Sequence, residues 1–377
     1  MKVKKVLLTS VASAVLVFSI MGSAFAETLQ KPSLQTNELA PVSLQTTTKH
    51  NSKYSSDVEK LKSHGVSDET IQRLGGDVDV LASQIDHLSK TQIANFTNGL
   101  IKSAETSVKM KNLLSAGQND NSTQYVAKVI NGEVTLENGN KIPVPNSHKL
   151  DSSSGAHTSG YNINEGPMYN VDAKLGYSKV SALVTLPQVK STYKSGVIPY
   201  VLNGIFMSNG QGGYTGGADL GLFYEDNQWR LCINGGNGLW VNSKDPINTS
   251  NVFIIFKVSA WDTVEIAAYD GQSYHPITSI YYWMGGKNFD PSGNGVEMAT
   301  GFSLALKYYH GLNDGSYLRG GRFQNTYLYN NNETRLWTSD LTTHRDKKRT
   351  DDEKRCIYVN TNSYDYDYSV DINLNLP

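Results

Sequence analysis

Apolar positions recur along this chain at two periods, and the period changes near residue 122. Before that point the steps are three and four, which puts side chains on one face of a helix. Val58 and Leu61 make a first pair, Ile71 and Leu74 a second, and Val78, Leu81, Ala82, Ile85 and Leu88 a third group. Ile93, Phe96, Leu100, Ile101 and Ala104 form the last stripe. The punctuation agrees with four helices. Ser56 with Glu59 and Ser89 with Gln92 have capping-box spacing, and Ser67 precedes the acidic pair Asp68-Glu69. Gly65 and Gly75-Gly76 are stops. Residues 53–117 are therefore expected to be a small α-helical unit, its stripes covered by one another or by the rest of the chain.

From residue 122 the period is two. Tyr125 to Ile130, Asn131-Gly132 and Glu133 to Leu136 read as a hairpin, because Asn-Gly suits a type I′ turn. Pro143, Pro145 and the run Ser152-Ser153-Ser154-Gly155 close this 122–150 connector. Alternation then persists over 155–377. Tyr169, Val171, Ala173, Leu175 and Tyr177 face one way, with Asn170, Asp172 and Lys174 opposite. Ala218, Leu220, Leu222 and Tyr224 repeat the pattern and turn through 225–228 into Trp229, Leu231 and Ile233. Val252 to Val258 is almost wholly apolar, as in a strand covered on both faces. At the C-terminus Tyr364, Tyr366, Tyr368, Val370, Ile372, Leu374 and Leu376 alternate with polar residues and predict one long strand. Many short strands between Gly, Asn and Asp turns predict an all-β antiparallel sandwich preceded by the helical unit.

The N-terminus adds an address. Lys2, Lys4 and Lys5, an apolar stretch from Val11 to Met21, and Ala24-Phe25-Ala26 together predict a signal peptide over 1–26 and a secreted, extracellular protein. The polar, Pro-marked segment 27–52 is expected to be a disordered linker. The chain carries 34 Lys+Arg against 35 Asp+Glu, which gives no electrostatic case for nucleic acid. The helices lack a basic recognition face, and the charge run His344 to Arg355 mixes both signs and reads as a solvated loop. No stable membrane insertion is expected, since the apolar stretch at the start is too short to span a bilayer. In an oxidising compartment Cys232 and Cys356 are candidates for a disulfide, with two buried thiols as the alternative.

Gly217-Ala218-Asp219-Leu220-Gly221-Leu222, followed by Trp229, Leu231 and Ile233, resembles the strand–turn–strand of concanavalin-like lectin and glucanase sandwiches. Asn313-Asp314-Gly315-Ser316-Tyr317 with Arg322-Phe323-Gln324-Asn325 is similar to the secreted YrpD-type proteins of Bacillus-like bacteria, over roughly residues 155–340. The resemblance implies a concanavalin-like jelly roll and secretion. That family is uncharacterised, so it brings no catalytic residue with it.

Chemistry leaves fewer marks than architecture. A glycosidase needs two converging carboxylates, and the E-x-D-x-x-E pattern of sandwich glucanases is absent. Glu265 and Glu297 are the weak catalytic candidates, with outer-face or turn acids as the alternative. Gly301-Phe302-Ser303-Leu304-Ala305 misses the G-x-S-x-G elbow and falls on a strand. There is no H-E-x-x-H. No cofactor is called for. Asp365, Asp367, Ser369 and Asp371 mimic part of a calcium loop, but Val370 stands where the glycine belongs, so a structural calcium has no motif behind it. Three Gly/Asn-rich loops remain: 209–217, 234–242 and 281–295. Trp240, Tyr282 and Trp283 could stack on sugar rings there, with Asp219 and Asn234 bonding hydroxyls. The alternative is that these glycines make turns and the tryptophans are core. The leading expectation is binding of an extracellular polysaccharide or cell-wall glycan. A glycoside hydrolase or lyase, and a non-catalytic envelope or biofilm protein, stand as alternatives, and enzyme activity is left open.

Overall fold

The computed structural model describes residues 52–115, 123–145, 166–191, 196–211, 213–236, 238–307, 311–348 and 350–376. The expected signal peptide, nearly all of the expected linker and the Ser-rich boundary lie outside them.

The helical unit holds α1 (Ser52–Ser63), α2 (Asp68–Leu74), α3 (Val78–Gln84) and α4 (Lys90–Ser115). The Ser67 hydroxyl accepts from the Thr70 amide, as its position suggests. Ser89 and Gln92 form a reciprocal box: Ser89 N donates to Gln92 Oε1 at 2.8 Å, and Gln92 N to Ser89 Oγ at 3.4 Å. Ser56 and Glu59 do not cap, because α1 starts four residues earlier and encloses both.

Nineteen strands follow among the described residues. The first six are β1 (Gln124–Ile130), β2 (Glu133–Thr135), β3 (Lys141–Pro143), β4 (Met168–Ala173), β5 (Lys179–Thr185) and β6 (Gln188–Lys190). Next come β7 (Val197–Ser208), β8 (Tyr214–Glu225), β9 (Gln228–Asn234), β10 (Leu239–Ser243), β11 (Asn251–Ala260), β12 (Thr263–Asp270) and β13 (Pro276–Trp283). The last are β14 (Val296–Leu306), β15 (Tyr317–Tyr329), β16 (Thr334–Leu336), β17 (Thr342–Lys348), β18 (Ile357–Tyr364) and β19 (Asp367–Asn373), with a short helix α5 (Asp351–Arg355) before β18. They form two antiparallel sheets. One has ten strands in the order β17-β4-β14-β7-β8-β9-β10-β1-β2-β3. The other runs β13-β12-β11-β5-β15-β19-β18, with β6 and β16 also paired to β15.

This is a β-sandwich preceded by a small helical unit. Its main core lies between the sheets, where Val171, Val201, Leu220, Leu231 and Phe302 meet Val180, Ile254, Phe256, Phe323 and Tyr368. β11 is covered on both faces, as its unbroken apolar run implies. Ile254 and Phe256 point into the sandwich, while Phe253 and Ile255 pack outward against Leu81, Phe96 and Leu100 of the helices. A third cluster covers part of the outer face of the ten-stranded sheet. Val134, Leu136, Ile142 and Val144 of the β1–β3 segment lie over Tyr200, Phe223, Cys232 and Trp240, and the Tyr200 hydroxyl donates to the Pro143 carbonyl at 2.7 Å.

Two hairpin expectations hold. Asn131-Gly132 and Asp226-Asn227 both place two successive residues at positive φ, the type I′ geometry that matches strand twist. The C-terminal strand is not one strand. Alternation runs through a two-residue turn at Asp365-Tyr366, so β18 ends at Tyr364 and β19 returns beside it. Tyr368, Val370, Ile372 and Leu374 still face the core. Nor is 344–355 a plain loop. It contains most of the charged edge strand β17 and then α5, capped by Thr350 and Glu353.

The disulfide does not form. Cys232 and Cys356 are both free and buried, Cys232 on the outer side of the ten-stranded sheet and Cys356 in the core between the sheets. Two thiols in different cores cannot reach the short Cβ separation that a bridge requires.

Candidate functional site

Register across the ten-stranded sheet sorts its outer face into rows. One row runs Asp172 (β4), Ala299 (β14), Gly204 (β7), Asp219 (β8), Asn234 (β9) and Trp240 (β10), each paired with the next. The adjoining row toward the ends of β4, β7 and β9 holds Glu297, Phe206 and Gly217. The row on the other side begins Asn170, Gly301, Leu202, Gly221 and Cys232. Small residues between the acids let side chains lie across the strands. A Cβ at Gly301 would come within 2.5 Å of Asn170 Oδ1, and one at Gly204 would meet the Phe206 ring. The polar set is therefore Asn170, Asp172, Asp219 and Glu297, all under a tenth exposed.

Glu297 and Asp172 are diagonal neighbours on adjacent strands, a relation that sets Cα atoms about 7–8 Å apart. The Tyr214 hydroxyl donates to Glu297 Oε1 at 2.6 Å. Burial, that bond, and the charges of Glu297 and Asp172 push the phenol well above its usual value, so Tyr214 remains a donor throughout the neutral range. Asn170 Oδ1 has no hydrogen-bond partner among the described residues.

Strand direction brings the three Gly/Asn-rich loops to one end of the sandwich. β7 leaves the sheet where β8 and β14 enter it, and β9 leaves where β10 begins. The segment from β13 to β14 crosses between the sheets at the same end. The packing there is close. Ser208 N donates to Gly295 O at 2.8 Å and Gly176 N to Val296 O at 3.0 Å. A Cβ at Gly235 would strike the Tyr282 ring, so glycine is required for the 234–242 loop to pass β13. Leu175, Gly176, Met207, Ser208, Gly210, Asn294 and Gly295 line an open depression of about 510 Å³. Its rim is tied to the acidic rows through β14, where Glu297 follows Gly295 by two residues, and through β8, where Tyr214 pairs with Ser208.

The residues singled out from sequence scatter among different roles. Glu265 is fully buried on the opposite, nine-stranded sheet, under the helical unit. It accepts from Ser103 and, at 3.0 Å, from Ser107, both on α4, and lies 3.4 Å from Lys257 Nζ. Glu297 and Asp219 share the polar outer face just described. Asn234 lies in their row but serves the backbone, donating to Pro145 O at 3.2 Å. Trp240 is core, its indole Nε1 donating to Asn242 Oδ1 at 2.9 Å and its ring edge-on to Phe223. Tyr282 is buried between the sheets, whereas Trp283 is exposed. Among the described residues no group of three His, Cys, Asp or Glu side chains gathers as a metal site. The acids of the calcium-like run have protein partners: Asp365 binds Arg345, Asp367 binds Arg322, and Asp371 accepts from Gly320 N.

Sequence reasoning passed over Asp172, Tyr214 and Trp261. Asp172 sits among the polar residues of an alternating strand, where outward-facing reads as solvated. What distinguishes it is register against Ala299 and Gly204, which is a property of three strands together. Among the described residues no helix is long and apolar enough to cross a membrane.

No protein-family model matches the sequence, and no curated protein matches it. Some solved structures share its outline at low identity. A scytalido-glutamic peptidase bound to a peptide-based transition-state analogue aligns at 8% identity and a TM-score of 0.37, covering 56% of this chain and 99% of the peptidase. The full-length tailspike protein 2 of the Escherichia coli O157:H7 bacteriophage CAB120 aligns at 10% identity and a TM-score of 0.28, over 46% of this chain and 27% of its own. The kappa-carrageenase of Pseudoalteromonas carrageenovora, in complex with an oligotetrasaccharide of kappa-carrageenan, gives 7% identity and a TM-score of 0.20, over 53% and 63%. At these scores the likenesses carry no argument about what this chain binds or cuts.

Proposed function

We propose that the protein is secreted and binds an extracellular polysaccharide or cell-wall glycan at the loop end of its ten-stranded sheet. The observation that carries this reading is the open depression between the 175–176, 207–210 and 294–295 segments. The Tyr214–Glu297 pair lies on the strands that lead into it, Glu297 two residues beyond Gly295 and Tyr214 at the start of β8. A carbohydrate site needs carboxylates, amides and hydroxyls that are held in place, because each loosely held group must be ordered on binding. Here Glu297 is oriented by Tyr214, and the loops are tied to one another by backbone hydrogen bonds. Binding of the purified protein to a panel of bacterial, plant and fungal glycans, followed by calorimetry, tests the reading. Glu297→Gln keeps the shape and removes the charge, and is expected to weaken binding about tenfold, the worth of one hydrogen bond to a charged group. No binding across the panel overturns it.

A second reading rests on the diagonal placement of Asp172 and Glu297. Glycosidases build an acid and a nucleophile or base from two carboxyls that converge on one face, and these two share a face on neighbouring strands. Release of reducing ends from a bound glycan, lost in both Asp172→Asn and Glu297→Gln, would make the protein a hydrolase. Binding without release leaves it a lectin-like protein.

A further inference from the structure

Two of the largest exposed apolar side chains in the described structure, Trp261 and Trp283, stand at neighbouring backbone positions, and neither belongs to the depression. They are 54% and 47% exposed. Trp283 closes β13, between Tyr282 and Met284, which are both buried in the main core, so its own ring is turned outward. Trp261 stands in the tight turn from β11 to β12. Thr263 pairs directly with Trp283, and Met284 N donates to Asp262 O at 2.8 Å, so the two tryptophans occupy neighbouring backbone positions.

The base beneath them is rigid. Asp262, at positive φ and almost fully buried, accepts from the amides of Gly286, Lys287 and Phe289, the last two at 3.0 and 3.2 Å. Its own amide donates to Phe289 O at 2.8 Å. One carboxylate thus locks the segment 285–289, whose residues Gly285 to Asn288 are exposed beside the rings. The far side of this segment reaches β8, where a Cβ at Gly216 would lie 3.1 Å from Lys287 Cγ. The segment therefore lies between the tryptophans and the strand that carries Tyr214.

We propose that Trp261 and Trp283 form a stacking platform for successive pyranose rings of a glycan chain, extending the site at the depression. The size of the patch selects the occupant. A fully exposed tryptophan offers roughly 150–250 Å², so two half-exposed rings present about 200 Å². A specific protein interface needs about 800 Å² from each partner. Two rings on a rigid, polar-edged turn are too little for a protein and suited to the apolar faces of sugars, whose hydroxyls would meet Lys287 and Asn288. The platform rests on the glycan reading above but not on the same residues.

The test compares Trp261→Ala, Trp283→Ala and the double variant with Glu297→Gln, using chitin, cellulose and xylan hexasaccharides and sonicated peptidoglycan as probes. Each single tryptophan change is expected to weaken binding of a recognised probe about threefold to tenfold, with the double change weaker still. Both rings are exposed, so the thermal midpoint should remain near that of the unaltered protein. A double variant that binds as well as the unaltered protein overturns the platform, and the depression stands if Glu297→Gln still weakens binding. Loss in the tryptophan variants with none in Glu297→Gln upholds the platform and removes the depression. No probe bound by the unaltered protein overturns both. A dimer by sedimentation that the double variant converts to a monomer overturns the platform in favour of self-association.

Discussion

At the scale of single residues, the tryptophans divide according to what their neighbours leave open. Trp240 and Trp283 look alike in sequence, each beside glycine and asparagine. Trp240 falls under the β1–β3 segment and is buried with a partner for its indole N–H, while Trp283 alternates outward past the reach of the helices. Trp240→Ala is expected to cost about 3–5 kcal/mol in urea unfolding, as for other large buried aromatics, and Trp283→Ala close to nothing. The cysteines show the same limit of local reading. The expectation of secretion argued for a bridge, yet the two thiols belong to different cores. Burial first, and then the nearby Asp219 charge, raise the Cys232 thiol well above its usual value; burial and then the Glu353 charge raise Cys356 to about 11. Neither is a reactive thiolate. Thiol titration without reductant should find no reactive group in the folded protein and two after denaturation; none after denaturation would mean a bridge.

Between elements, the helices are joined to the nine-stranded sheet by an ion cluster that no helix or strand pattern announces. Lys257 Nζ meets Asp77 Oδ2 at 2.5 Å, and Lys179 Nζ meets Asp77 Oδ1 at 3.1 Å and Asp79 Oδ1 at 2.7 Å. Glu265 completes it from β12. Burial alone would raise the Asp77 carboxyl, but the charges of Lys257 and Lys179 hold it below its usual value. Burial also raises Glu265, and there Lys257 does not fully offset it. The signs oppose one another. Asp77 stabilises the fold above the ordinary carboxylate range and loses that contribution as pH falls through its folded value. Glu265 favours its protonated form in the fold, so its ionisation costs stability as pH rises from 4.5 through its raised value. Urea midpoints of Glu265→Gln should therefore lose this decline above pH 4.5, while the unaltered protein retains it. Lys257→Met leaves Asp77 buried with one cation fewer, at an expected cost of about 3–5 kcal/mol by the same measurement. The helix caps at Ser67 and Ser89 and the turns at Asn131-Gly132 and Asp226-Asn227 were legible because each is settled within four residues. The ion cluster was not, since Lys257 and Asp77 are 180 residues apart.

For the whole molecule, sequence carried the fold class and the two-part order, because period two and period three to four survive any arrangement in space. It also carried the three glycine-rich loops, though not that strand direction would gather them at one end. The acidic face needed more still: Asp172, Asp219 and Glu297 share a surface only through the register of four strands. The helical unit acts as a cover at this scale. Leu81, Phe96 and Leu100 shield Phe253, Ile255 and Tyr269 on the outside of the sheet. Deleting residues 53–115 should expose that surface and yield aggregated protein by light scattering, whereas a helical unit merely tethered to the sandwich would leave a soluble, folded remainder.

That same cover implies an order of events. Its docking groove exists only after β5, β11 and β12 have assembled, since Lys179, Lys257 and Glu265 come one from each. Contacts so distant in sequence carry a large loop-closure cost and slow folding. The helices are made before every strand they touch, and those strands run on to β13 and β15, where Tyr281 bonds Ser103 O and Tyr329 meets Ser83. A chain growing from its N-terminus therefore carries the helical stripe before any strand that covers it exists.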